Sequence, residues 1–141
     1  MRAVLDTNIV VSGLLIALGD PAAILSGWRE RQFQLVTSPP LIRELAGVLS
    51  RPSLSRRLGR SPEAVAAFLA DFSEAADMAY PERRIGVLAD EPDNRVLEAA
   101  VAGEADWIVT GDAGLLALAE YEETRIVRPG RFVAILRAEL A

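Results

Sequence analysis

Four acids stand where a chemistry of oxygen ligands could be built: Asp6, Glu44, Asp93 and Asp112. Asp6 ends the apolar run Arg2-Ala-Val-Leu5 and opens the polar shelf Asp6-Thr7-Asn8, and Asp112 follows Trp107-Ile-Val109 by way of Thr110-Gly111. A short apolar run meeting Asp, Thr and Asn reads as a buried parallel strand handing over to a helix, and in open α/β sheets ligands sit at that edge. Asp93 projects into the middle of the apolar stripe Val96, Leu97, Ala100 and Val101, where a carboxylate needs a partner. Glu44 lies beside the stripe Leu41, Ile42, Leu45, Val48 and Leu49. At about 100° per residue it is displaced about 40° from Val48, at the border of the buried face.

What the chain lacks narrows the chemistry further. It has no His, no Cys and no Lys, and all 15 basic residues are Arg. Nucleophilic pairs built on His, thiolate chemistry, Cys-type zinc sites and phosphate loops that need Lys are thereby excluded. Asp, Glu, Ser, Thr, Tyr and Arg remain, and the natural cofactor for a carboxylate cluster is Mg²⁺ or Mn²⁺. The formal charge of −5 argues against a protein that simply coats nucleic acid, though not against a nuclease, whose acids await metal.

Each acid also has a plainer use. Asp6 or Asn8 can cap a helix starting near Ile9, Asp112 a helix after it, and Asp90 with Asp93 can form a cap in which the helix N-terminus welcomes both charges. For Asp90 capping is the preferred reading; for Asp93 the inward direction favours function.

The elements that must position these residues alternate. Extended segments are expected at 2–5, 33–37, 77–80 (a short edge strand), 85–88, 107–109 and 124–128. Helices are expected after Asp6, from a cap at Asp20-Pro21 to Trp28, over 40–50, in a short helix and turn at 51–60, from Ser61-Pro62 to 76, after Asp90, after Asp112, and from Pro129 to 136. Gly111 is read as permitting the tight turn before Asp112. Residues 51–76 form a helical arm over the sheet edge. Its Arg51, Arg56, Arg57 and Arg60 are either a solvated face or the phosphate-contacting rim of a substrate groove. At 141 residues and 51% hydrophobic, one domain over 1–141 is expected, with no apolar run of membrane-spanning length, and cytoplasmic residence is the default. Short connections favour a mostly parallel sheet of four to five strands with helices on both faces. The shelves after 2–5 and 107–109 then share one edge, and convergence of four acids there is what separate caps do not explain.

At these residues the chain resembles the PIN-domain ribonucleases, particularly the prokaryotic toxin branch with VapC-type toxins. Val4-Leu-Asp-Thr-Asn-Ile-Val10 resembles the opening motif with its first acid, Asp6. Glu44 falls where the family carries its second acid in a Leu-x-Arg-Glu-Leu setting. Asp93-Asn-Arg-Val-Leu-Glu-Ala-Ala100 resembles the third-acid helix, and Ile108-Val-Thr-Gly-Asp-Ala-Gly-Leu-Leu116 the fourth motif, with Asp112 as its acid. Pro92 stands where relatives often carry a further acid, and Ala113-Gly114 replaces a basic-then-acidic pair.

The resemblance implies a three-layer α/β/α PIN-like fold and an endoribonuclease acting on single-stranded or loop RNA, leaving a 5′-phosphate and a 3′-hydroxyl. Asp6, Glu44 and Asp93 would hold one Mg²⁺ or Mn²⁺, with Asp112 completing that site or helping to hold a second. Asn8, Ser12 and Thr110 would orient waters or ligands. A cognate antitoxin that inserts a basic segment into the acids is expected, as is a homodimer, because the stripes of the 61–76 and 129–138 helices exceed what one small sheet covers. Two other classes fit the fold: a silent PIN-fold interaction module, and a small-molecule phosphate-ester hydrolase, which the missing Lys and the Asn at position 8 disfavour.

Overall fold

The structure is a computed structural model that describes residues 1–140. In chain order its elements are β1 (Arg2–Leu5), α1 (Thr7–Leu15), α2 (Asp20–Arg29), β2 (Gln34–Thr37), α3 (Pro39–Leu49), α4 (Pro52–Leu58), α5 (Pro62–Ala75), β3 (Asp77–Met78), α6 (Glu91–Ala102), β4 (Trp107–Val109), α7 (Ala113–Leu118), β5 (Glu120–Tyr121), β6 (Thr124–Val127) and α8 (Pro129–Leu140). Proline occupies the first turn of α2, α3, α4, α5 and α6, where its missing N–H costs nothing and its fixed φ suits the helix. Ser38 and Ser61 cap α3 and α5 through side-chain bonds to Leu41 and Ala64.

The strands form one sheet in the order β3-β2-β1-β4-β6-β5, parallel throughout except for β5 against β6. Alternate strand residues face opposite ways. Ala3, Leu5, Leu35 and Val109 join one core with side chains of α1, α2, α4, α5 and α8, whereas Val4, Val36 and Ile108 join another with α6 and α7. This is the three-layer α/β/α arrangement. The fully buried Phe132, Ile24, Leu97 and Leu115 each stabilise it by about 1.5–3 kcal/mol before the entropy of ordering is set against them. Chain order runs outward from β1 to β2 and β3 on one side and from β4 to β6 on the other. The crevice between the carboxyl ends of β1 and β4 is therefore the topological switch point, where such sheets bind ligands.

Several sequence expectations need correction. The sheet has six strands rather than four to five, the addition being β5, a two-residue partner of β6. Asp20 lies inside α2, whose cap is Gly19 at φ 114° with no side-chain bond. Residues 85–88 join no strand and are held instead by side chains of α6, with Ile85 N–H donating to Glu98 Oε2 at 2.8 Å and Leu88 N–H to Asn94 Oδ1 at 2.9 Å. Gly111 has no positive φ, and a Cβ there would meet nothing within 4 Å, so the turn does not require glycine. The apolar stripe of α8, Phe132, Val133 and Leu136, is buried within the chain, which removes it from the surplus apolar surface that motivated a dimer.

Candidate active site

Register brings the first and last acids together. Leu5 pairs with Val109, and Asp6 N–H donates to the Val109 carbonyl at 3.0 Å, so Asp6 and Thr110 leave adjacent strands side by side. Asp6 is 7% exposed. Its Oδ1 accepts the Thr7 N–H at 2.8 Å, the capping bond anticipated for it, while Oδ2 accepts the Thr110 hydroxyl at 2.7 Å. Capping and site-building are thus done by two oxygens of one carboxylate.

Thr110 also accepts the Asp112 N–H at 3.0 Å, and Asp112 Oδ2 accepts the Leu115 N–H at 3.0 Å as the cap of α7. From α6, Asp93 comes beside Asp112, close enough for each carboxyl to bear on the other's charge. A Cβ on Gly114 would stand 3.2 Å from Asp112 Oδ2 and 3.7 Å from Asp93 Oδ2, so the glycine leaves that pair uncovered. Glu44 reaches in from α3, where its Oε2 accepts the Thr7 hydroxyl at 2.9 Å.

The electrostatics are those of crowded acids. Burial pushes the Asp6 carboxyl up, with Asp112 and Asp90 adding repulsion against the lowering effect of Thr110 and Thr7. Burial likewise raises Glu44, opposed by the Thr7 hydrogen bond and by the charge of Arg51. Asp93 is pushed up to about 7 by burial and by its bond and repulsion with Asp112, while the Leu115 N–H holds Asp112 below its usual range. Of the two, Asp93 is therefore the one that takes up a proton first as pH falls.

The four acids meet as linked pairs: Asp93 with Asp112, Asp112 with Asp6 through Thr110, and Asp6 with Glu44 through Thr7. Among the described residues no group of three His, Cys, Asp or Glu side chains stands in an arrangement that could hold a metal ion. The donor chemistry nevertheless fits a hard divalent cation, since all four are carboxylates whose mutual repulsion a cation would relieve.

The supporting residues divide. Thr110 is fully buried within the site, Ser12 is half-buried on α1, and Asn8 is exposed one turn before it on the same helix. Arg51, Arg56, Arg57 and Arg60 are all exposed, and only Arg51 bears on an acid, Glu44. Sequence reasoning passed over Thr7, whose hydroxyl ties Glu44 to the cluster, although its place beside Asp6 was visible. It also passed over Asn94, fully buried, whose amide holds Leu88 through both its N–H and its carbonyl.

Comparison with known proteins bears on this arrangement. The PIN domain pattern matches residues 2–114. The chain is 30% identical over 118 residues to the uncharacterized protein MJ1680 of Methanocaldococcus jannaschii, covering 84% of this chain and 75% of that one. In fold it is similar to the crystal structure of VapBC2 from Rickettsia felis bound to a DNA fragment from their promoter, with TM-score 0.60, 15% identity, and 91% and 98% of the two chains covered. It is also similar to the crystal structure of PAE2754 from Pyrobaculum aerophilum, with TM-score 0.60, 18% identity, and coverage of 97% and 89%.

Proposed function

Because the chain belongs to the PIN domain family, we propose that it is a Mg²⁺- or Mn²⁺-dependent endoribonuclease in which Asp6, Glu44, Asp93 and Asp112 are the catalytic acids. The observation that carries this reading is the convergence of acids at the switch point of the sheet, where Thr110 links Asp6 to Asp112 and Thr7 links Asp6 to Glu44. Isolated helix caps would not be tied together in this way.

When bound by these carboxylates, a divalent cation offsets negative charge on a phosphodiester and makes a neighbouring water more acidic, so that hydrolysis proceeds without His. The chain does the positioning. Thr110 and Thr7 fix the orientation of Asp6 and Glu44, and Asp93 gives up its proton so that both members of its pair are available as ligands. Asn8 and Ser12, one turn apart on α1, present polar groups toward a substrate, and Arg51, Arg56, Arg57 and Arg60 follow its phosphates. Single-stranded RNA is the substrate, and the products carry a 5′-phosphate and a 3′-hydroxyl.

The likeness to VapBC2, crystallised with DNA from their promoter, supports a toxin role with a cognate antitoxin whose basic segment blocks the acids. Half-buried Phe68 and Leu69 on α5 support a homodimer through that helix. No single described helix is long and apolar enough to cross a membrane, consistent with action in the cytoplasm. The absence of a ready-made three-acid group favours one rival, a PIN-fold interaction module without catalysis. Calorimetric titration with Mn²⁺ separates the two: the nuclease binds it and loses binding in Asp6→Asn, whereas the silent module gives no heat.

A further inference from the structure

A groove of about 350 Å³ opens on the α6 side of Glu44, lined by Pro40, Glu44, Arg84, Glu91, Pro92 and Arg95. Three of its four charges are already engaged. Glu44 accepts from Thr7; Glu91 accepts from the Asn94 amide and pairs with Arg95 at 3.3 Å; Arg95 pairs with buried Glu98 at 3.0 Å and donates to the Ile85 carbonyl. Arg84 differs. Its side chain is 76% exposed and its nearest acid, Glu91, lies 3.7 Å away. The groove thus offers one weakly engaged guanidinium, lined also by two prolines, next to a proposed catalytic acid.

Helix α3 gives the spacing. Pro40 lies four residues before Glu44 and Arg51 seven after it, about 6 Å and about 10 Å along the axis at about 1.5 Å per residue. Glu44 therefore lines the same groove as the Arg84 guanidinium, while a second guanidinium, Arg51, stands just beyond the end of α3, and its charge is felt at Glu44. Resting on the ribonuclease reading, we propose that the groove is a subsite for the substrate backbone: the strand passes Glu44, with one phosphate on Arg51 and another on Arg84 in the groove.

The test measures binding of a single-stranded RNA oligonucleotide over a salt series, with cleavage followed on the same proteins. Arg84→Ala and Arg51→Ala should each flatten the plot of log affinity against log salt by about 0.7, the value for one single-strand phosphate contact, and the double variant by about twice that. KM should rise in each with Mn²⁺ affinity unchanged, Arg84→Lys should keep most of the slope, and Arg31→Ala, in the turn after α2, should leave it as in the unaltered chain. An unchanged slope and KM in Arg84→Ala, with the unaltered chain still binding and cutting RNA, overturns the groove subsite alone. An unaltered chain that neither binds nor cuts single-stranded RNA overturns the ribonuclease reading and the subsite with it.

Discussion

The Thr110 hydroxyl donates to Asp6 Oδ2 at 2.7 Å while its oxygen accepts the Asp112 N–H at 3.0 Å, so one buried side chain at the end of β4 sets both the acid that ends β1 and the turn that carries the last acid. Thr110→Val keeps the shape and removes both bonds. It should cost about 1–3 kcal/mol, because a carboxylate oxygen and an amide are left unpaired in a buried place, and should push the Asp6 carboxyl further up. Denaturant unfolding reads the first effect, and Thr110→Ser should restore most of the loss.

The Asp93 carboxyl provides a pH prediction whose sign is definite. Its folded value, about 7, lies above its unfolded one, so between the two the folded state binds the extra proton. This group's contribution to stability is most favourable in acid and is lost as pH rises through about 7. Asp93→Asn mimics the protonated form and can still donate to Asp112. It should melt higher than the unaltered chain at pH 8, by on the order of 1 kcal/mol or more given about 1.4 kcal/mol per pKa unit, with the advantage vanishing near pH 4. An equal advantage at both pH values would show that the Asp93–Asp112 pair does not hold this proton.

Metal binding should report the same proton from the other side. If Mn²⁺ takes its place, apparent affinity should rise about tenfold per pH unit below 7 and level off above it. The binding heat should vary with the ionisation enthalpy of the buffer, revealing about one proton released. Affinity independent of pH from 5 to 8 would place the cation elsewhere.

Asn94 ties residues 85–88 to α6, accepting from Leu88 N–H at 2.9 Å and donating to its carbonyl at 2.8 Å. Asn94→Ala should cost about 2–3 kcal/mol and accelerate hydrogen exchange at the Leu88 amide far more than in β1 or β4. Uniform acceleration across the protein would show that the segment and the core open together.

How much of this could be read beforehand depended on the range of the interaction. The apolar runs ending at Asp6 and at Thr110 located the central strands β1 and β4, prolines located the starts of α2 and α5, and apolar periodicity located α3, because all of these are local properties of the chain. The hairpin of β5 and β6 was not legible: its turn places Glu122 at φ 51° without the Gly or Asn that usually marks such a turn. Nor was the tie between Thr7 and Glu44, 37 residues apart, or the approach of Asp93 on α6 to Asp112 at the cap of α7. Those depend on how α3, α6 and α7 pack, which no local pattern encodes.

The most direct measurement is cleavage of a single-stranded RNA oligonucleotide by the purified chain with Mn²⁺ or Mg²⁺, with chelator, and in Asp6→Asn and Asp93→Asn. Metal-dependent cleavage that leaves 5′-phosphate ends, stops with chelator and falls by at least about a hundredfold in both variants while they remain folded is the predicted result. Cleavage that persists in chelator, or at full rate in either folded variant, would contradict the assignment of these acids.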